Sequence, residues 1–447
     1  MNASSEHPSP PQGPRAFERA HERILARIVE VERAEIASLL WSFAYFFSVL
    51  CAYYILRPLR DEMGVTVGQD GLKWLFVIVF VVMLAAVPVF GWVVERFPRR
   101  RIVPVMYGFF IANLALFWVA FQAGWHGTIV AGTFFVWVSV FNLFVVSLFW
   151  SLMSDLWRNY QAKRLYGFIA AGGSAGAFAG PLITQGLVRL VGPNNLLIVS
   201  GLLLGVSIAA ALMLRRLFAG VAAGQGEEEP IGRRGLLDGA LAVWRSPYLF
   251  QIALWILIGN FVGTFFYLEQ ARIVGETLTD RTARVELFAR VDLAVSVLTI
   301  LVQVFLAARI MQTFGVGISA AALPASATLG LMALAVSPTL AVVVTVLAME
   351  RTITFALANP AMKVLYTLVE PEEKYKAQNF NDTVVFRGGD AASAWVLNGF
   401  RAAGLGFGSI VAVTLPAAVA WLGLSLALGR QHAQRAKTHN PSSRNAL

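Results

Sequence analysis

Apolar residues in this chain fall in long unbroken blocks separated by short polar connections, not in the strict alternation of half-buried strands. Twelve blocks stand out, at roughly 36–56, 72–94, 102–123, 128–152, 165–188, 195–214, 247–268, 287–308, 316–335, 339–359, 379–399 and 403–428. Each can form a helix of about 20 residues, enough to cross a hydrocarbon core of about 30 Å. A membrane β-barrel would instead show strands of about 10 residues with period two. The ninth and tenth blocks are nearly continuous and are divided at Ser337 and Pro338. The pattern predicts an all-α polytopic membrane protein.

Composition narrows the class. Hydrophobic residues make up 57% of the 447 residues, charged residues 14%, and mean hydropathy is +0.65. A single cysteine excludes an internal disulfide or a multi-cysteine metal site. The five histidines, His7, His21, His126, His432 and His439, do not lie deep in a block, so neither metal nor other cofactor is expected. The chain has no P-loop, HExxH or nucleophile elbow, and an enzyme is not expected.

The net charge of +10 is distributed as in a membrane protein rather than a nucleic-acid binder. With both ends in the cytoplasm, most of the 36 basic residues fall on the cytoplasmic side, among them Arg99, Arg100, Arg101, Arg215, Arg216, Arg233, Arg351, Lys374 and Lys376. The expected location is a bacterial inner membrane. The polar stretch 215–246 divides the blocks six and six. The expected units are a cytoplasmic segment 1–35, with an amphipathic helix over 15–35, a bundle 36–214, the loop 215–246, a second bundle 247–428 and a cytoplasmic tail 429–447. Two six-helix bundles with both ends on one side resemble the layout of the major-facilitator transporters.

Charged residues inside apolar blocks are costly and mark functional positions. Arg57 and Arg60 follow Tyr53 and Tyr54, share a helix face and precede Asp61 and Glu62. Glu269 and Arg272, after Tyr267, hold the corresponding place in the second half, and an ion pair between Arg60 and Glu269 is expected to latch the halves. Asp292 is read either as a proton site or as a partner of Arg290. Arg387 and Asp390, one turn apart, are expected to pair beside the cavity. Asn142 faces either the cavity or a neighbouring helix. Gly172, Gly176 and Gly180 form a small-residue face suited to close helix packing.

These residues carry a likeness. Tyr53 through Asp61, then Glu269 and Arg272, Phe149-Trp150 followed by Ala162-Lys163-Arg164-Leu165-Tyr166, and Asn359-Pro360 with Tyr366, Glu370, Lys374, Lys376 and Asp382 match four motifs. On them the chain resembles the ATP/ADP antiporter family of plastids and obligate intracellular bacteria, and more closely its divergent relatives in free-living bacteria. Arg60 stands where that family has a lysine, Asn359 where it has an aspartate, and Val138 to Asn142 lack its acidic residue. The resemblance implies the fold and the transport class more strongly than ATP/ADP exchange.

The expectation is a secondary transporter that moves an anionic, phosphorylated, nucleotide-like solute by alternating access, as an exchanger or coupled to protons. Arg57, Arg60, Arg387, Lys374 and Lys376 would meet the anion, Tyr53, Tyr54 and Tyr267 would stack, and Asn142 and Glu269 would complete the site. Asp61, Glu269, Arg272, Asp292, Asp390, Lys163 and Arg164 would gate or couple. The partners are the solute, membrane lipid and a coupling proton, with no nucleic-acid polymer and no obligate protein. A flippase for an amphipathic anion and a non-transporting sensor or scaffold are the alternatives.

Overall fold

The computed structural model describes residue 32 and residues 35–96, 101–218 and 233–439. The expected amphipathic helix over 15–35 falls almost wholly outside them, as does the Gly-rich and Glu-rich centre of the connecting loop. Among the described residues the chain is helical and has no strand. In hydrocarbon a backbone must satisfy its own hydrogen bonds, and a helix does so within one segment.

The first two helices, α1 (36–67) and α2 (69–96), run on from one another and are broken at Gly68, whose φ of 76° lies in the left-handed region open to glycine. Then come α3 (Ile102–Gln122), α4 (Thr128–Leu156), α5 (Asn159–Val191) and α6 (Leu196–Leu217). A short connecting helix, α7 (Arg233–Arg245), precedes α8 (Pro247–Thr277). Next, α9 (281–314) and α10 (316–336) are separated at Gly315, with φ 80°. The last are α11 (340–368), α12 (371–402) and α13 (Phe407–His439).

Nine stretches of the described residues are long and apolar enough to cross a bilayer. Two of these, 36–93 and 281–336, hold two helices each, and α12 is excluded by its charges. The twelve-helix architecture follows, six helices on each side of α7.

Several helices outrun the apolar blocks that predicted them. The first block ends at residue 56, yet α1 continues through Pro58, Arg60, Asp61 and Glu62. The seventh continues from 268 to Thr277, and the eighth begins at Arg281 rather than 287. The physical reason is the same in each case. These charges pair inside the protein, those of α1 and α9 largely across the two halves and those at the end of α8 with one another and with Arg401 of α12.

Helix α5 lies against α1 along the small-residue face. A Cβ at Gly172 would stand 2.6 Å from the carbonyl oxygen of Phe43, and one at Gly180 2.7 Å from Cβ of Tyr54. In the second half α12 meets α8 in the corresponding way, with Gly389 against Asn260, whose amide donates to the Phe386 carbonyl at 2.7 Å. The interior forms one apolar cluster mainly within α1–α6, joined by Val285 of α9, and a second mainly within α8–α13, which takes in Val65, Leu72, Leu75, Val79, Met83 and Phe135 from the first half.

Candidate functional site

Helix direction gives the molecule two faces. The side on which α1 begins is called terminal, and the opposite one distal. With twelve crossings, α13 ends on the terminal side.

Near mid-depth, α1, α8, α9 and α11 bring six polar side chains together. Arg351 on α11 donates to Asp292 on α9 at 3.0 Å and lies 3.7 Å from Asp61 on α1. Arg57 stands 3.7 Å from the other oxygen of Asp292, and Arg60 3.7 Å from Asp61. Tyr267 of α8 donates its hydroxyl to Asp61 at 3.4 Å. The carboxylates are almost wholly buried, at 1% and 2% side-chain exposure, while Arg57, Arg60 and Arg351 keep 13%, 19% and 14%. Buried carboxylates persist in such a setting only when paired. The arginines therefore form the accessible wall and the aspartates its support. Arg60 also lies on the Phe135 ring, 4.2 Å from its centroid, and Arg57 over Tyr54 at 5.5 Å.

On the terminal side of this network is a cavity of ≈ 240 Å³. Arg57 and Asp292 form its distal end, with Tyr54 and Phe46 on α1, Ser174 on α5, Ser296, Thr299 and Gln303 on α9, and Phe355 on α11. Two π turns, Gln303–Ala307 and Thr354–Ala358, bound it, and the Gln303 amide donates to the Phe355 carbonyl at 3.1 Å. Single π turns occur frequently at functional positions. A larger groove of ≈ 940 Å³ between α2, α3 and α4 is lined by apolar and small residues with no charged side chain.

The distal face is closed by contacts between the halves. Arg281 pairs with Glu62 at 3.0 Å, donates to Asn194 at 2.8 Å and meets His126 at 3.2 Å. Arg189 pairs with Glu286 at 2.6 Å, and Arg290 holds the same carboxylate from one turn away. Gln69 donates to the Leu268 carbonyl at 2.8 Å, Lys73 to Asn398 at 2.7 Å, and Trp74 meets Trp395 edge to face at 4.9 Å. The terminal face has its own locks within each half. Arg164 pairs with Glu35 at 2.6 Å, and Lys376 bridges Asp238 of α7 at 3.7 Å.

Several expected relationships differ from this arrangement. Glu269 does not latch to Arg60. It is held by Arg272 at 2.8 Å and Arg401 at 2.7 Å, because α8 continues past it to the distal face where α12 ends. Asp292 pairs across helices with Arg57 and Arg351, whereas Arg290 turns outward to Glu286. Arg351, counted on sequence with the cytoplasmic charges, is internal. Arg387 and Asp390 influence one another through space without a direct ion pair among the described residues. Lys374 and Lys376 lie at the terminal start of α12, against Tyr375 and α7, away from the arginine wall. Asn142 is half-buried on α4, and Tyr53 packs edge to face on Tyr54 at 5.3 Å. Lys163 is on α5, and its side chain lies outside the described residues.

Sequence reasoning missed Arg281, Arg284, which stands 4.0 Å from Glu62, and the α9 polar face. The signal was present as Asp292, Ser296, Thr299 and Gln303 at helical spacing in an otherwise apolar stretch.

A polytopic helical protein with two halves, paired charges at mid-depth, one face sealed and a cavity toward the other has the construction of a secondary transporter. The chain belongs to the Major Facilitator Superfamily, whose sequence pattern matches residues 36–389. No curated protein matches the sequence. Solved structures share the fold. A bacterial homologue of the iron transporter ferroportin in an inward-facing state is 14% identical over 89% of this chain and 98% of that one, with a TM-score of 0.61. A nucleoside transporter is 14% identical over 89% of this chain and 99% of that one, with a TM-score of 0.55. A bacterial homologue of the human lysosomal transporter Spinster, inward-facing and unoccupied, is 14% identical over 91% and 98%, with a TM-score of 0.53.

Proposed function

We propose that this transporter moves an anionic, phosphorylated solute by alternating access, and that Arg57, Arg60 and Arg351 receive it. The observation that carries the reading is that Arg57 stands with Asp292 at the end of the cavity, and that Arg60 and Arg351 beside them stay partly accessible while the carboxylates they pair with are 1–2% exposed. A guanidinium offers a planar fork of donors that suits phosphate oxygens. An anion arriving from the terminal side meets Arg57 first and competes with Asp292 for it. Losing that carboxylate loosens a contact between α1 and α9, which belong to different halves, so binding and rocking are linked.

The basic bias of the terminal side supports placing both ends in the cytoplasm of a bacterial inner membrane. The cavity then opens inward. Exchange and proton coupling both fit, since either a second anion or a proton on Asp292 would release Arg57. The likeness to the ATP/ADP antiporters favours a nucleotide-like phosphate.

The test is a binding screen of the purified protein by thermal shift against inorganic phosphate, ribose 5-phosphate, nucleotides and anionic lipid, repeated with Arg57→Ala and Arg60→Ala. Stabilisation by a phosphorylated solute that disappears in either variant supports the reading. Stabilisation by anionic lipid alone, or by none of these, defeats it.

A further inference from the structure

The cavity has a second polar surface, which begins at Asp292 of the ion-pair network and runs on along α9 beyond it. Asp292, Ser296, Thr299 and Gln303 follow one another at intervals of four, three and four residues, share one face of α9 and all line the cavity. Their hydrogen-bonding capacity is unequally spent. Ser296 donates to the Ala177 carbonyl at 3.1 Å, which leaves its oxygen free to accept. The Gln303 amide nitrogen is committed to Phe355, leaving its carbonyl oxygen. The Thr299 hydroxyl is buried with no hydrogen-bond partner, and the Asp292 oxygen that faces Arg57 at 3.7 Å is buried without a hydrogen bond as well. A buried polar atom left unpaired costs about 1–3 kcal/mol. The stripe is thus rich in acceptors and calls for a ligand that brings donors.

Volume limits that ligand. At ≈ 240 Å³ the cavity is smaller than the roughly 300–1,000 Å³ pockets that enclose drug-sized molecules. A nucleoside triphosphate belongs to that larger class.

We infer that the cavity takes a sugar monophosphate, with its phosphate on Arg57 and its hydroxyls donating to the α9 stripe. This rests on the anionic, phosphorylated reading of the same site and narrows it from nucleotide-like solutes in general to one phosphate on a polyhydroxylated body. Ser174 across the cavity adds a further polar contact, and Phe46, Tyr54 and Phe355 cover the apolar faces of the sugar.

The experiment is calorimetric titration of the purified wild type with ribose 5-phosphate, inorganic phosphate, ribose, AMP and ATP, then of Thr299→Val and Gln303→Leu. Ribose 5-phosphate should bind at least about tenfold tighter than inorganic phosphate or ribose, and each variant should lose about tenfold of that affinity while its phosphate affinity is unchanged. Equal affinity for inorganic phosphate and ribose 5-phosphate, or tighter binding of AMP or ATP, overturns the sugar-phosphate assignment and leaves the anion site standing. Binding of no phosphorylated compound overturns both. The ranking in the wild type decides the matter even where a variant does not fold.

Discussion

Arg57 on α1 and Asp292 on α9 face each other at 3.7 Å across the boundary between the two halves. Arg351 and Asp61 cross the same boundary in the opposite sense, also at 3.7 Å. With its carboxylates ionised, each guanidinium that crosses the boundary has a carboxylate opposite it and, of the three arginines, Arg60 is in excess, so most of the charge of the empty site is offset from within, which favours reorientation of an unloaded carrier. Asp292→Asn strands two guanidinium groups. Net efflux of ribose 5-phosphate from proteoliposomes into solute-free medium should fall about a hundredfold, the kinetic counterpart of roughly 3 kcal/mol for an unpaired buried charge. Exchange against external ribose 5-phosphate should fall far less, because the incoming anion supplies the missing charge. Equal loss of both modes would contradict this account.

Part of the distal seal reaches solvent, and that part is weak, in contrast to the Arg281–Glu62 pair, whose carboxylate is 1% exposed. Glu286 joins the halves through Arg189, whose side chain is 70% exposed, whereas its bond to Arg290 stays within α9. Glu286→Gln should raise the distal-open population by up to about fivefold, as expected from at most about 1 kcal/mol per exposed pair. Added salt should act in the same direction. Arg290→Ala should leave the population unchanged. Distances between spin labels at Ile129→Cys and Val336→Cys, both highly exposed on the distal face, would report it in a Cys51→Ser background.

The architecture was legible because apolar blocks of membrane length leave few choices of backbone, and the division around 215–246 was visible as polarity. Arg57, Arg60, Asp61 and Asp292 stood out for being charged among apolar residues. Their partners did not. Whether Asp292 meets Arg290 or Arg351 depends on how α9 is rotated against α11, and no local pattern records that rotation. Arg351 was misplaced because a basic residue near the end of an apolar block looks the same whether it enters the cytoplasm or turns inward. Glu269 was misread by the same mechanism, since α8 extends beyond its most apolar part.

Packing of α5 on α1 makes a sharper stability test than any charge. At Gly176 a Cβ would run into the Phe47 carbonyl and the Cys51 amide, both backbone atoms that cannot rotate away, whereas Gly186 on the same helix has nothing within 4 Å. Gly176→Val should therefore destabilise the protein by roughly 1–3 kcal/mol or more, and Gly186→Ala should not. Thermal melts of the two variants in detergent compare them directly. Matching melting temperatures would mean that the two helices are not held at this distance in the membrane.

His126 gives the distal seal a dependence on pH. It lies in the connection between α3 and α4, 3.2 Å from Arg281, and partial burial followed by the Arg281 charge holds its imidazole below the ordinary value, with Glu62 opposing them. Its neighbours in the sealed state are thus Arg281, Asn194 and Glu62, with the Phe121 ring stacked at 5.7 Å. A base whose affinity for protons is lowered in the sealed state binds them more readily once released. Above the ordinary histidine pKa of about 6.5 both states hold it neutral and it exerts no bias. As pH falls below that point the open state gains protons first, so acid favours opening until the sealed state is protonated too. The label pair at residues 129 and 336 should show the open distance growing over that interval in the wild type, and a flatter response in His126→Gln. An identical acid response in the variant would assign the effect to another group.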